Sequence, residues 1–184
     1  SLMQKIDGSY CPDTLRCLDD GQLKSVAEAA SQYDEVYEGQ KIRYLARGTD
    51  TPAKLKSRVN LRKQKFDGID SMGFFTGVLF MSGVYKLFPE YERDGRYRLW
   101  ELERHTCIVP DMLQIRPGDF LVSVDDPDNP IVAVVVEIGD GKDLSSYEVV
   151  VPPLGPWDTV KKITWEKLEK IGCFYPRRFL ANKI

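Results

Sequence analysis

Histidine is nearly missing from this chain of 184 residues, which has only His105. One imidazole cannot build a zinc cluster alone, and Cys11, Cys17, Cys107 and Cys173 show no metal-ligand spacing. Neither a metal centre nor a resident cofactor is expected. Long apolar runs are missing too. The most apolar stretch, 73–84, is broken by Gly77, Ser82 and Gly83 before it approaches the ~18 residues of a membrane span. A glycine-rich phosphate loop is also lacking. Gly68-Ile69-Asp70-Ser71-Met72-Gly73 does not end in Gly-Lys-Ser/Thr, and Ile138-Gly139-Asp140-Gly141 reads as a hairpin turn, which argues against nucleotide chemistry. With no internal repeat and no linker, 1–184 reads as a single domain, its core over about 20–152 and a C-terminal extension over 153–184.

What is present is ordinary globular material, 42% apolar and 29% charged. A chain of this size buries roughly 70% of its unfolded surface and needs no disulfide or metal to be stable. The net charge of −2 hides an asymmetry: 43–65 carries eight cations against Asp50 alone, net +7, and the rest of the chain is −9. Such a stretch is able to touch phosphate, but only Tyr44 and Phe66 at its edges offer stacking, so a solvated cationic face is preferred to a nucleic-acid interface. The four thiols fit either two disulfides or buried small hydrophobes. The N-terminus has no basic–apolar–small export pattern, and Ser1-Leu2 ahead of Met3 reads as a remnant of expression.

Periodicity predicts a first helix over 20–37, with Leu23, Val26, Ala27, Ala30, Tyr33 and Tyr37 on one face, Asp19 or Asp20 as cap and Gly39 as stop. A long loop with a short helix near 53–60 follows. Asp67-Gly68 predicts a turn, and 71–82, apolar on nearly all sides, predicts a buried helix. Helical spacing recurs in 96–105. Arg116-Pro117-Gly118-Asp119 places Pro and Gly at the centre of a type II turn. The β-branched runs 120–124, 131–138 and 147–151, separated by turn-rich segments, predict consecutive antiparallel strands. A last helix over 165–171 has Thr164 as cap and Gly172 as stop, and the tail from Cys173 to Leu180 reads as a strand packing back on the sheet, or as an arginine–aromatic binding segment.

A buried helix opening after an Asp, then a Pro-Gly-Asp turn and antiparallel strands, resembles the NlpC family of papain-like cell-wall peptidases. The residues that carry the resemblance are Asp70-Ser71-Met72-Gly73-Phe74, where the family has Asp-Cys-Ser-Gly-Phe, then Gly83-Val84 closing the helix, and Pro117-Gly118-Asp119. Ile131-Val132-Ala133-Val134 stands where the family's next strand opens with histidine. The resemblance implies an α+β, papain-like NlpC-type fold, a buried helix packed on an antiparallel β-sheet, and a cell-envelope or exported location. It places the nucleophile at Ser71 and the base at Ile131, which cannot exchange a proton. It also implies a cleft lined by Asp70, Ser71, Met72, Ile131 and Glu148, with the segment from Tyr97 to His105 as a lid.

The expected function is a degenerate homologue that binds peptidoglycan peptides or a protein partner without cleaving them. One alternative is an active cysteine endopeptidase or amidase whose nucleophile was replaced by Ser71 by design, or one served by His105. Another is a non-enzymatic α+β binding or structural protein. His105 is a candidate base only if the segment before it folds over the cleft, and Cys107 reads as a buried thiol. Asp67 with Asp70, and Asp125 with Asp126, are candidate acid pairs that also suit caps and turns. Trp157 is a cleft wall or a core anchor. The oligomeric state is left open.

Overall fold

The computed structural model describes residues 4–5, 15–35, 41–48, 52, 68–87, 97–139 and 143–182. The helix expected near 53–60, the Asp67 half of the first turn, Tyr37 and Gly39 lie outside the described residues. The fold is α+β, with helices packed on a largely antiparallel sheet.

Strands β1 (Gln4–Lys5) and β2 (Leu15–Cys17) precede helix α1 (Asp20–Tyr33). A capping box starts α1: Gln22 N–H donates to Asp19 Oδ1 at 2.8 Å, and Asp19 N–H donates to Gln22 Oε1 at 3.0 Å. The helix is four residues shorter at its C-terminus than its apolar pattern predicts. The N–H of Asp34 turns back onto the carbonyls of Ser31 and Gln32, and Lys41 grips the Asp34 carboxylate at 2.6 Å.

Helix α2 (Ser71–Ser82) follows the expected bounds. Asp70 caps it, and Gly83 closes it with φ 76°. Its near-uniform apolarity is explained by its packing against both α1 and the sheet. At Gly77 a Cβ would stand 1.7 Å from the Tyr33 hydroxyl, so only glycine admits α1 this close. Tyr33 meets Phe74 edge-on at 5.1 Å, while Phe75 stacks on Phe179 at 5.3 Å and meets Phe120 edge-on at 5.2 Å.

Helix α3 (Leu99–Arg104) leads into β3 (Thr106–Ile108), a strand hidden in sequence by the charged helical pattern before it. Strands β4 (Phe120–Ser123), β5 (Ile131–Glu137), β6 (Glu148–Val151) and β7 (Lys161–Thr164) then pair in sequence order, all antiparallel. Helix α4 (Trp165–Glu169), capped by Thr164, ends two residues before the expected stop because Lys170 N–H already bonds the Leu168 and Lys167 carbonyls. The last strand, β8 (Tyr175–Asn182), does not extend the core but completes it. It runs antiparallel to β3, β4 and β2, giving the order β1-β3-β8-β4-β5-β6-β7. The segment expected as an extension therefore supplies two strands of the sheet, β7 and β8.

Both sheet faces are covered, which is why β5 reads as an unbroken β-branched run instead of an alternating one. Val132, Val134, Phe120, Val122 and Val150 face α1 and α2. Ala133, Val135, Leu121, Val149 and Val151 join Trp165, Leu168 and Ile115 on the opposite face.

The expected turn at 116–119 forms, with Asp119 N–H on the Arg116 carbonyl at 3.0 Å and Gly118 at φ 98°. A Cβ at Gly118 would lie 2.1 Å from the Leu23 carbonyl, so the turn also seats α1. Asp119 is fully buried and accepts both Arg178 Nε and Nη2 at 2.7 Å, along with Arg116 N–H at 2.8 Å. Burial pushes its carboxyl up, and the Arg178 guanidinium opposes that push. Replacing one member strands a buried charge, so Asp119→Asn is expected to cost about 3–5 kcal/mol in urea unfolding. A loss under about 1 kcal/mol would refute a structural role for the pair.

Candidate functional site

The N-terminus of α2 opens into a cleft of about 280 Å³. Its position follows from four backbone hydrogen bonds. Leu45 N–H donates to the Ile69 carbonyl at 3.1 Å, and Ile69 N–H to Arg43 at 3.0 Å. Tyr44 N–H donates to the Asp158 carbonyl at 3.2 Å, and Val160 N–H to Ile42 at 2.8 Å. Residues 42–45 thus tie the start of α2 to the segment that follows β6.

Asp70 is fully engaged in building this wall. One oxygen accepts Gly73 N–H at 2.9 Å as the helix cap, and the other accepts Arg47 N–H at 2.9 Å. Ser71 is 9% exposed and lines the cleft. Met72 lines the cleft beside it. Across from the helix stand Asp126, Asp128, Asn129, Pro130 and Ile131 from the β4–β5 turn, and Pro153 and Leu154 after β6.

The structure therefore brings together four of the predicted site residues: Asp70, Ser71, Met72 and Ile131. It also refines the role of Ile131. Its side chain packs with the cluster on the far face of the sheet, beside Leu121 and Ala133. Alternation along β5 gives the α2 side to Pro130, which lines the cleft, and to Val132, which is fully buried in the helix–sheet core. None of these three residues takes or gives a proton.

The other predicted residues are elsewhere. His105 is the buried C-cap of α3, and its carbonyl accepts Leu180 N–H at 2.9 Å. Ile131 pairs with Ser123, and β4 reaches β8 at Val122 opposite Tyr175, so His105 and the cleft are separated by at least five residues of β8. At ~3.3 Å per residue this is about 17 Å, far beyond hydrogen-bond reach. Tyr97 is buried against Phe75 and Phe80, with its N–H on Thr76 Oγ1 at 2.9 Å, and forms no lid. Glu148 stands at the end of β6 opposite Glu137, whereas the cleft lies past the other end, at Pro153. It is 3.7 Å from Lys162. Cys107 is a buried strand residue, and Cys17, Cys107 and Cys173 are free thiols.

Trp157 is neither core anchor nor cleft wall. It is fully exposed at φ 71°, three residues from the lining Leu154. Asp158 fixes that loop by accepting Leu154 N–H at 2.9 Å and Lys161 Nζ at 2.8 Å. Burial raises the Asp158 carboxyl, but the Lys161 ammonium and the Leu154 and Thr159 amides outweigh it and hold the group below the usual carboxylate range.

Sequence reasoning weighed Asp126, with Asp125, as an acid pair or a turn and passed over Asp128, Tyr44, Pro153 and Leu154 as lining. The signal for the acids was present: their turn immediately precedes Ile131, so it must stand at the same strand end. No group of three or more His, Cys, Asp or Glu suited to a metal occurs among the described residues. No described helix is long and apolar enough to cross a membrane.

Comparison with protein-family models, with curated proteins and with solved structures finds no match to this chain.

Because Asp70 caps α2 and holds Arg47 at once, Asp70→Ala is expected to lower stability by about 1–2 kcal/mol in thermal or urea melts. Asp70→Asn, which keeps the acceptor oxygen, is expected to recover at least half of that. Equal losses for the two variants would rule out the capping account.

Proposed function

We propose that the chain is a papain-like, NlpC-type homologue of cell-wall peptidases that holds a wall peptide in the Ser71 cleft without cleaving it. One observation carries this reading: Ser71 opens the buried helix at the cleft, while the residues lining it at the start of β5 are Pro130 and Ile131, followed by the core residue Val132. The matched frame of helix, Pro-Gly-Asp turn and following strands supports descent from the peptidases. The emptied base position supports loss of their chemistry.

The chemical argument is direct. A helix N-terminus favours a developing anion by its dipole and its free amides, which is enough to help ionise a thiol. A serine hydroxyl is far less acidic and needs an adjacent base to become a nucleophile. Among the described lining residues there is no histidine, and the one nearby carboxylate on the helix side, Asp70, already accepts two backbone N–H groups. A cleft with a polar floor, apolar walls from Tyr44, Met72, Pro153 and Leu154, and no catalytic pair is suited to holding an extended peptide. A location at the cell envelope follows from this reading.

Purified peptidoglycan incubated with the protein is expected to release stem-peptide fragments at least about 10³-fold more slowly than with a competent peptidase. Ser71→Cys is expected to remain equally inactive, since it restores the nucleophile and not the base. Soluble stem peptides should nevertheless shift the backbone NMR signals of Ser71, Met72 and Asp128 saturably. Fragment release by either protein would overturn the binding-only reading.

A further inference from the structure

Two exposed side chains stand on backbone that glycine adopts far more readily. Among the described residues, the non-glycine positions with positive φ are Arg47, at 63°, and Trp157, at 71°. The left-handed region is costly for a bulky residue and persists only where its surroundings impose it. Both positions are imposed. Asp70 Oδ2 holds the Arg47 N–H at 2.9 Å. Asp158 closes the loop of Trp157: its N–H donates to the Gly155 carbonyl at 3.1 Å, and its carboxylate accepts the Leu154 and Thr159 amides, each at 2.9 Å. Yet the indole so fixed lies wholly in water and adds nothing to the core. Strain held at an exposed aromatic points to a contact outside the chain.

The two loops are neighbours. Arg43 bridges Thr159 in antiparallel register and Tyr44 N–H donates to the Asp158 carbonyl at 3.2 Å, so 43–47 and 154–159 make one continuous rim. Each loop also exposes a leucine, Leu45 on the first and Leu154 on the second. The charge of the rim identifies what it meets. Arg43 and Arg47, both exposed, flank Leu45 and begin the stretch 43–65, which is net +7 in a chain otherwise −9. An indole and leucines set among cations fit the boundary of an anionic bilayer, where the apolar groups enter at headgroup depth and guanidiniums meet lipid phosphate. A soluble polyanion would use the cations and leave the leucines in water. Asp126 and Asp128 stand on the turn across the cleft, which confines the contact to this rim.

We propose that the 43–47 and 154–159 loops seat the protein on an anionic phospholipid surface, with Trp157, Leu45 and Leu154 at headgroup level and Arg43 and Arg47 on lipid phosphate. This docking is independent of what the Ser71 cleft holds, and it gives the left-handed positions a purpose: they lift an indole and a guanidinium clear of the fold.

The test sediments the full chain with vesicles of phosphatidylcholine alone and with vesicles of one part phosphatidylglycerol to two parts phosphatidylcholine, and follows tryptophan emission. The mixed vesicles are expected to bind at least about tenfold more tightly, with the emission moving to the blue and the binding falling as salt rises. Trp157→Gly and Arg47→Gly separate docking from folding, because glycine suits both backbones. Both variants are expected to be at least as stable as the natural chain in urea unfolding. On mixed vesicles Arg47→Gly should bind about fivefold more weakly, and Trp157→Gly should bind more weakly and lose the blue shift. Equal affinity for the two vesicles, no binding to either, or unchanged binding by both variants would overturn the proposal. A blue shift with soluble polyphosphate and none with vesicles would assign the rim to a polyanion and overturn membrane docking as well.

Discussion

The fold depends on one buried ion pair that joins the turn before β4 to the last strand of the chain. Asp119 and Arg178 are 59 residues apart, and their bidentate contact locks β4 against β8. Arg178 also donates to the Gln114 carbonyl at 2.9 Å, so the segment leading into the turn is held by the same guanidinium. With Gly118 pressed against the backbone of Leu23, the turn fixes where α1 crosses the sheet. A desolvated pair of this kind adds little net stability over a well-packed apolar alternative, and its retention suits specification of register. Its neighbour Arg177 does the corresponding work at the β3 edge, donating to Thr106 Oγ1 at 2.5 Å and to the Glu103 and Thr106 carbonyls at 3.1 Å.

That lock explains what local patterns in the sequence could and could not disclose. Helix α2, the turn at 116–119 and strands β4 to β6 were legible because each is written in neighbouring residues: a cap, a Pro-Gly pair, or a β-branched run. The central place of β8 was not, because nothing in Tyr-Pro-Arg-Arg-Phe-Leu says that its arginines are to be buried. Distant partners, Asp119 for Arg178 and Thr106 for Arg177 among them, make that burial tolerable. Strand β3 was masked for a similar reason: its three residues gain their conformation from β8, not from their own pattern.

The candidate site divides along the same line. The helix side of the cleft, Asp70 to Met72, is contiguous and was found by its motif. The far side is assembled from strand ends, and there the end of the strand matters as much as the strand. Glu148 was placed on the right strand at the wrong end, while Pro153 and Leu154, beyond Val151, reach the cleft. Parity was the other hidden variable. A strand buried on both faces gives no apolar–polar alternation from which to tell that Ile131 looks away from α2 and Val132 toward it.

The same two-sided burial bears on how far the cleft is from catalysis. If the base position were merely substituted on an open strand, one histidine would restore it. Here the α2-facing neighbour of the cleft, Val132, is completely buried and belongs to the core that contains Phe74, Phe75 and Val134. A histidine placed there would overfill that core, at a cost of about 1–3 kcal/mol, and the loss of water around it would disfavour its protonated form. At Ile131 the imidazole would point to the other face of the sheet. On the proposed peptide-binding reading, the lack of a base is built into the packing of β5 against both layers, and Ser71 serves recognition instead of attack.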